Sequence, residues 1–299
     1  MTPNSSSSNL EAFVQAVRLK SFSAVARRRG QSPSAVARQV SALEKELGVQ
    51  LLLRSTRSLE LTDAGRTLYG RAADILEQIT CAKREAAARS KEVRGTVRLT
   101  CWPTLGKLLV LPCLPELMAK FPELSIDLDL SEMVHAPALE LTDLAIRVGN
   151  QHDTTMIQTR LGTLRGVVVA GPAYIAKHGE PLSIDDCVQH KLIDKRHPAP
   201  FMGWRCLLST KRSRDAARVL VTDDLQAQSD ACALGLGIAH LPSWAVSERL
   251  QSGELVVLLP KVKPISAPVF LLRAPGSPPA SVSALARHLA KHLRPLLAC

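Results

Sequence analysis

The side chains best suited to chemistry in this chain are a basic and polar set near its start. Arg27, Arg28, Ser32, Pro33, Ser34, Arg38 and Gln39, then Arg54 and Arg57, bring guanidinium, hydroxyl and amide groups close together in sequence. Guanidinium forks and amides bond phosphate oxygens and the edges of bases, so this set points to double-stranded DNA. Catalytic chemistry has no comparable set. The chain lacks H-E-x-x-H, a Walker A loop and G-x-S-x-G. Gly235-Leu236-Gly237 matches only the first two glycines of a dinucleotide fingerprint, and it leaves a helix for a strand, the reverse of the required context. The eight histidines are dispersed, with no pair at metal-ligand spacing on one element. No metal and no cofactor is expected.

The elements around the basic set follow from short patterns. Residues 1–7 form a Ser-rich tail with no core-forming side chains, expected to be disordered. Ser8 and Glu11 have capping-box spacing, and Leu10, Phe13, Val14 and Val17 then predict a short amphipathic helix. A second helix restarts at Ser21 and ends at Gly30. Ser32-Pro33 opens a third, with Val36, Val40, Leu43 and Leu47 on one face, ended by Gly48. Three helices with a tight turn before the third predict a helix-turn-helix, whose last helix would lay its N-terminal residues against base edges. Leu51–Arg54 and Leu59–Thr62 flank a polar turn and predict a hairpin, a wing. A long helix from about 63 to 93 follows. Its Leu68, Ala72, Ile75, Ile79, Ala82 and Ala86 recur every 3.5 residues, the seam of a two-helix coiled coil, with packing on its own domain as the alternative.

From Gly95 the pattern changes to alternating strands and helices, a βαβαβ rhythm that predicts an α/β region with a largely parallel sheet. Strands are expected at 97–100, 125–130 and 144–148, with helices at about 106–120 and 136–141. A second set starts at 166–170 and runs through a helix near 172–178, strands near 218–222, 238–241 and 255–259, helices at 224–234 and 243–250, a strand at 269–272 and a last helix near 279–297. Two α/β lobes in one region suggest a ligand cleft between them. The expected division is a winged helix-turn-helix over 1–62, a linker helix over 63–94 and a two-lobed domain over 95–299. Its first lobe takes about 95–164 and 265–299, its second about 165–264.

Composition narrows the partners. The chain has 299 residues, 46% of them hydrophobic and 3% aromatic, so it can bury large aliphatic cores without disulfides. Its formal charge is +11, and residues 1–94 hold 16 Lys/Arg against 9 Asp/Glu, so most of the excess lies beside the basic set. Such a surface favours polyanions. Seven cysteines without a C-x-x-C pair are read as reduced thiols. The N-terminus has no signal-peptide pattern and no stretch is long and apolar enough to span a bilayer, so a cytoplasmic protein with no membrane partner is expected.

Residues 10–70 resemble the N-terminal domain of LysR-type transcriptional regulators, and the stretches that carry this are Ser21–Leu52, Arg54–Gly65 and the long helix. Thr142–Gly149, Val167–Gly179 and Ala233–Pro242 resemble the effector-binding region of the same family, in the same order. The resemblance implies a multidomain α/β protein: a winged helix-turn-helix, a dimerising linker helix, and a C-terminal two-lobed, Rossmann-like domain similar to periplasmic binding proteins. It implies a sequence-specific regulator, activator or repressor, modulated by a small-molecule effector, and not an enzyme. Operator DNA, RNA polymerase and further copies of the chain, up to a dimer of dimers, would be its partners. Arg29 and Gln31 stand where the family usually has apolar residues, and Ala37 where it often has Ser. By the same resemblance the effector residues are Thr104, His135 and Arg147. Trp102 and Phe201 are cleft walls or plain packing, and Asp230 lies on the helix after Asp223 and Asp224. Each keeps a structural role as its alternative. The competing function is a two-lobed α/β enzyme with an accessory nucleic-acid-binding domain, for which no nucleophile or base constellation is visible.

Overall fold

The computed structural model describes residues 3–54, 59–88, 92–131, 142–150, 156–197, 199, 201–209, 211 and 216–298. The hairpin turn Ser55–Ser58, with Arg57, and the segment holding His135 and the helix expected at 136–141 lie outside the described residues. So do the side chains of Arg28 and Arg54. The chain divides into two compact units, the first built mainly from residues 1–90 and the second mainly from the remainder.

The first unit holds α1 (Pro3–Leu19), α2 (Phe22–Arg29), α3 (Pro33–Leu47), β1 (Leu52–Arg54), β2 (Leu59–Leu61) and α4 (Asp63–Ala88). β1 and β2 pair antiparallel, Leu52 opposite Leu61. The apolar spacing places Phe13, Val14, Val25, Val36, Val40 and Leu51 in one buried cluster. Gly65 lets α4 start directly against the strand, since a Cβ there would sit 2.1 Å from the Leu51 carbonyl oxygen. Glu44 reaches out of α3 and accepts from the amides of Leu51 (2.9 Å) and Leu52 (3.1 Å), which fixes the entry to β1.

The N-terminus differs from expectation. α1 begins at Pro3, so most of the Ser-rich stretch is helical and Ser8 lies inside the helix instead of capping it. Ser8 and Glu11 are used across helices. Arg29 of α2 donates to the Ser8 carbonyl (3.4 Å) and to Ser8 Oγ (3.0 Å), and lies 3.9 Å from Glu11. This explains how a guanidinium replaces an apolar residue beside the turn: its side chain is 15% exposed and its charge is met by α1. Gln31 is exposed, so its amide stays in water.

The α4 seam also divides. Ala72 is 1% exposed in the domain's own core, which removes it from the dimerisation seam, and Leu68 is partly buried against the same core. Ile75 (49% exposed) and Ile79 (41%) face away from that core, and Ala82 is exposed.

The second unit contains β3 (Gly95–Cys101), a helical run through Pro103–Leu105, a π-turn at Gly106–Val110 and a 3-10 turn at Leu111–Cys113, ending as α5 (Leu114–Lys120), then β4 (Leu124–Leu130) and β5 (Leu144–Val148). β6 (Ile157–Ala170), α6 (Pro172–His178), β7 (Leu192–Asp194), β8 (Arg218–Val221) and α7 (Leu225–Ala233) follow. Next come β9 (Ile238–Pro242), α8 (Ser243–Ser252), β10 (Val256–Leu258), β11 (Ser266–Arg273) and α9 (Ala280–Leu296). The strands join in the order β4-β3-β5-β11-β6-β9-β7-β8, with β10 also on β6.

The sheet is mixed, which corrects the expectation of a largely parallel one. β3 runs parallel to β4 and β5, and β7 runs parallel to β8 and β9. The pairs β5–β11, β11–β6, β6–β9 and β6–β10 are antiparallel. The cause is one long strand, whose first half (157–165) the sequence reading did not include. Residues 157–165 of β6 pair with β11, and residues 166–170 pair with β9 and β10. β7 was also missed, being only three residues long. One buried cluster, including Leu99, Ile146, Leu164, Val269, Leu285 and Leu241, runs through both halves. A second gathers Trp204, Tyr174 and Leu192 with Val168, Ile238 and Leu258 of β6, β9 and β10.

Arg29→Ala is expected to lower the unfolding free energy by about 1–2 kcal/mol, since it removes hydrogen bonds from a partly screened charge. Urea denaturation of the variant beside the parent checks this, and an unchanged midpoint would reduce the Arg29–Ser8 contact to a surface coincidence.

Candidate functional site

The first candidate surface is the start of α3. Ser32 caps it, its Oγ accepting from the Ala35 amide at 3.2 Å, and Pro33 occupies the first turn. Gly30 takes the left-handed backbone (φ 62°) that ends α2. Val36, Val40 and Leu43 point into the core. The opposite face presents Ser32, Pro33, Ser34 and Arg38 to solvent, and Arg27 of α2 is exposed too. Ser34 Oγ lies 2.9 Å from Ser32 Oγ, so both hydroxyls are pre-positioned. Gln39 departs from this group. It is partly buried, and its Nε2 donates to Ser8 Oγ at 3.3 Å, turning the amide toward α1. It holds α3 to α1 in this conformation and does not share the exposed face.

The second candidate lies where parallel strands end in the second unit. Open α/β sheets bind ligands outside the carboxyl ends of their strands. Trp102 and Thr104 follow β3, Gly149 follows β5, Lys195 follows β7 and Asp223 closely follows β8. The structure brings several of these together. Trp102 stacks on Phe201 (centroids 6.0 Å apart, planes 22° apart), and Lys195 Nζ lies 5.8 Å from the centre of the Trp102 ring. Gly149 (φ 89°) makes room: a Cβ there would approach Phe201 Cε1 to 2.9 Å. Lys195 donates to the Asp223 carbonyl at 3.3 Å, and Asp223 Oδ2 is 2.7 Å from His197 Nδ1. Burial pushes the Asp223 carboxyl up, but the bonds from the His197 amide and ring and the nearby Lys195 charge outweigh it and hold the group below the usual carboxylate range.

Arg147 and Thr104 are both buried, at 2% and 3% exposure. Arg147 Nη1 donates to the carbonyls of Thr100 (3.3 Å) and Ile146 (3.0 Å), and Nη2 to Thr100 Oγ1 at 3.5 Å. Its Nε is buried with no hydrogen-bond partner. Among the described residues no carboxylate pairs with it, and burial lowers its pKa against the opposing influence of Cys101 and Asp129. A cation held this way is a natural seat for an acceptor or anion.

Two effector expectations change. Asp230 accepts from Arg249 Nη2 (2.5 Å) and Gln226 Nε2 (3.1 Å), so it ties α7 to α8 and is not brought to the Trp102 group. The amides at the start of α7 are already used, because Asp224 Oδ1 accepts from Gln226 (2.8 Å) and Ala227 (3.0 Å). Sequence reasoning missed Lys195, His197 and the buried Asp194. Asp194 accepts from the Lys195 amide (2.9 Å), the Trp204 amide (3.1 Å) and Arg218 Nε (2.8 Å), and so shapes the loop carrying Lys195. The signal available was an isolated Asp-Lys-Arg-His run after Leu192-Ile193.

These two surfaces define a protein that offers a helix-turn-helix to DNA and carries a separate two-lobed ligand-binding domain. Residues 7–66 match the family model described as bacterial regulatory helix-turn-helix protein, lysR family, and residues 90–294 match the LysR substrate binding domain. The chain belongs to the LysR family of transcriptional regulators. It is 32% identical over 260 residues to the probable HTH-type transcriptional regulator LtrA of Klebsiella pneumoniae, covering 87% of this chain and 84% of that one. It is 30% identical to the HTH-type transcriptional activator AaeR of Escherichia coli K12, covering 88% and 85%. The solved structure of CrgA, a LysR-type regulator from Neisseria meningitidis, superposes with a TM-score of 0.59 at 25% identity, over 96% of this chain and 98% of that one. That of the Vibrio cholerae virulence activator AphB gives 0.69 at 23%, over 96% and 99%, a likeness of fold. The chain is therefore a helix-turn-helix regulator with an effector-binding domain, and the alternative of a two-lobed enzyme finds no support. No described helix is long and apolar enough to cross a membrane.

Asp223→Asn gives a pH test. A carboxyl whose folded pKa is lowered contributes stability above its unfolded value and loses it as pH falls through the folded one. The parent should exceed the variant by a constant margin at neutral pH, and the margin should shrink below the ordinary carboxyl value of 3.8. Equal melting temperatures for the two proteins at pH 7 would leave the Lys195–Asp223–His197 group without energetic weight.

Proposed function

We propose that this regulator binds a two-fold symmetric operator as a dimer and that a small effector carrying an anionic or strong acceptor group sets its activity from the cleft. The observation that carries the DNA reading is the exposed first turn and following face of α3, with Ser34 and Arg38 on the side opposite Val36, Val40 and Leu43. Arg27 and, beyond the described side chains, Arg28, Arg54 and Arg57 are assigned to phosphates, Ser34 and Arg38 to base edges. The effector reading is supported by the unpartnered, buried Arg147 Nε beside Thr100 and by the Trp102–Phe201–Lys195 cluster at the strand ends. Thr104 adds a buried hydroxyl next to them in sequence.

Ile75, Ile79 and Ala82 are the exposed remainder of the α4 seam and form the proposed dimer contact. We further assign a dimer of dimers, a cytoplasmic location and contact with RNA polymerase at the regulated promoter. Effector closure changes DNA binding only through unequal affinity for the two arrangements of the protein.

Footprinting on the DNA upstream of its own gene, with competitor DNA and at two salt concentrations, tests the function. Half-sites spaced by about one helical turn or a multiple, resistant to competitor, are expected. Arg38→Ala should weaken specific binding by about 1–3 kcal/mol and relax sequence preference at one position of each half-site. Unchanged specific affinity removes Arg38 from the base contacts. The double substitution Ile75→Asp and Ile79→Asp should leave a monomer in analytical ultracentrifugation at micromolar concentration, because like charges would face each other across the seam. A surviving dimer would place the interface elsewhere.

A further inference from the structure

α9 carries His288 and His292 four residues apart, which places both imidazoles on one face of the helix. This corrects the expectation that no histidine pair has metal-ligand spacing on one element. Their ring centroids are 4.3 Å apart. Glu116 of α5 faces them, and each of the three residues offers a donor atom within 4.8 Å of the others. We propose that Glu116, His288 and His292 form a binding site for a divalent transition metal of the zinc class, joining α9 to α5.

The local hydrogen bonding suits such an ion. The Cys113 carbonyl can only accept, so the 2.6 Å contact puts the proton of His288 on Nε2 and leaves a lone pair on Nδ1. A histidine N–H held by a backbone carbonyl is the outer support that metal-bound imidazoles use. His292 Nε2 is buried without a hydrogen bond, although Glu116 Oε2 lies 3.1 Å away. Two ligands on one tetrahedral zinc at 2.0–2.1 Å are separated by about 3.3 Å, so a small movement of the exposed Glu116 admits the ion between them. Two imidazoles and one carboxylate match nitrogen-loving ions of the zinc, cobalt and nickel type and disfavour calcium or magnesium. Three protein donors leave at least one coordination position to water. Lys291 Nζ holds the other oxygen, Glu116 Oε1, at 3.4 Å and keeps the carboxyl ionised, below its usual range. It also places a positive charge beside the site, so it weakens metal binding.

The test uses the full chain and Co²⁺ or Zn²⁺ alone. Added metal is expected to raise the melting temperature, with reversal by EDTA, and Co²⁺ should give visible ligand-field absorption without a sulfur charge-transfer band. His292→Ala and Glu116→Gln should each weaken the affinity by about tenfold or more. Lys291→Ala, which removes a competing charge and no ligand, should tighten it. If His292→Ala does not fold, the exposed Glu116→Gln decides alone. A cobalt–sulfur band, or affinity unchanged in the ligand variants, or no metal-dependent shift in the parent, overturns the site.

Discussion

One strand holds the C-terminal domain together. β6 pairs with β11 through residues 157–165 and with β9 and β10 through residues 166–170, so a single extended segment joins the two halves of the sheet. That change of partner joins the ladder of β3, β4, β5 and β11 to the ladder of β7, β8 and β9. β3 and β5 end on one side of it with Trp102, Thr104 and Gly149, and β7 and β8 end on the other with Lys195 and Asp223. Backbone hydrogen bonds set this geometry, so the cleft residues are placed before any of their side chains interact. Side-chain contacts such as Trp102 on Phe201 then refine it by small amounts compared with the ladder they rest on.

Local patterns were legible wherever one element satisfied itself. The Ser32-Pro33 start, the Gly30 and Gly48 stops and the Val36, Val40, Leu43 face of α3 are all decided within a few residues. The alternation of 125–130 and the helix at 280–296 are of the same kind. Failures came where a distant partner decides. Ser8 and Glu11 have the spacing of a cap, but Arg29 of α2 claims both, and no local rule states which use wins. The first half of β6 lies in a polar stretch, Gln158-Thr159-Arg160, that becomes a strand because β11 is there to pair with it.

The candidate sites follow the same division. The exposure of Ser34 and Arg38 was legible because the period of α3 alone decides which face it turns to solvent. Gln39 was not, since its amide answers to Ser8, far away in sequence. Asp230 looked like a cleft residue by its position and proved to be held by Arg249 of the next helix. Lys195 and His197 escaped notice because their significance comes from Asp223 on a neighbouring strand end. The pairing of Glu116 with two histidines far along the chain is a tertiary fact of the same type, although the spacing of those histidines alone was visible.

The place of β11 has a consequence for biosynthesis. It is the last strand made, yet it lies between β5 and β6, in the interior of the sheet. Until residues 266–273 have left the ribosome, β5 and the first half of β6 each present an open edge. β7, β8, β9 and β10 are all made before β11 and pair without it. The growing chain therefore carries these two unpaired strand edges until β11 is made, a period in which chaperone protection would matter most.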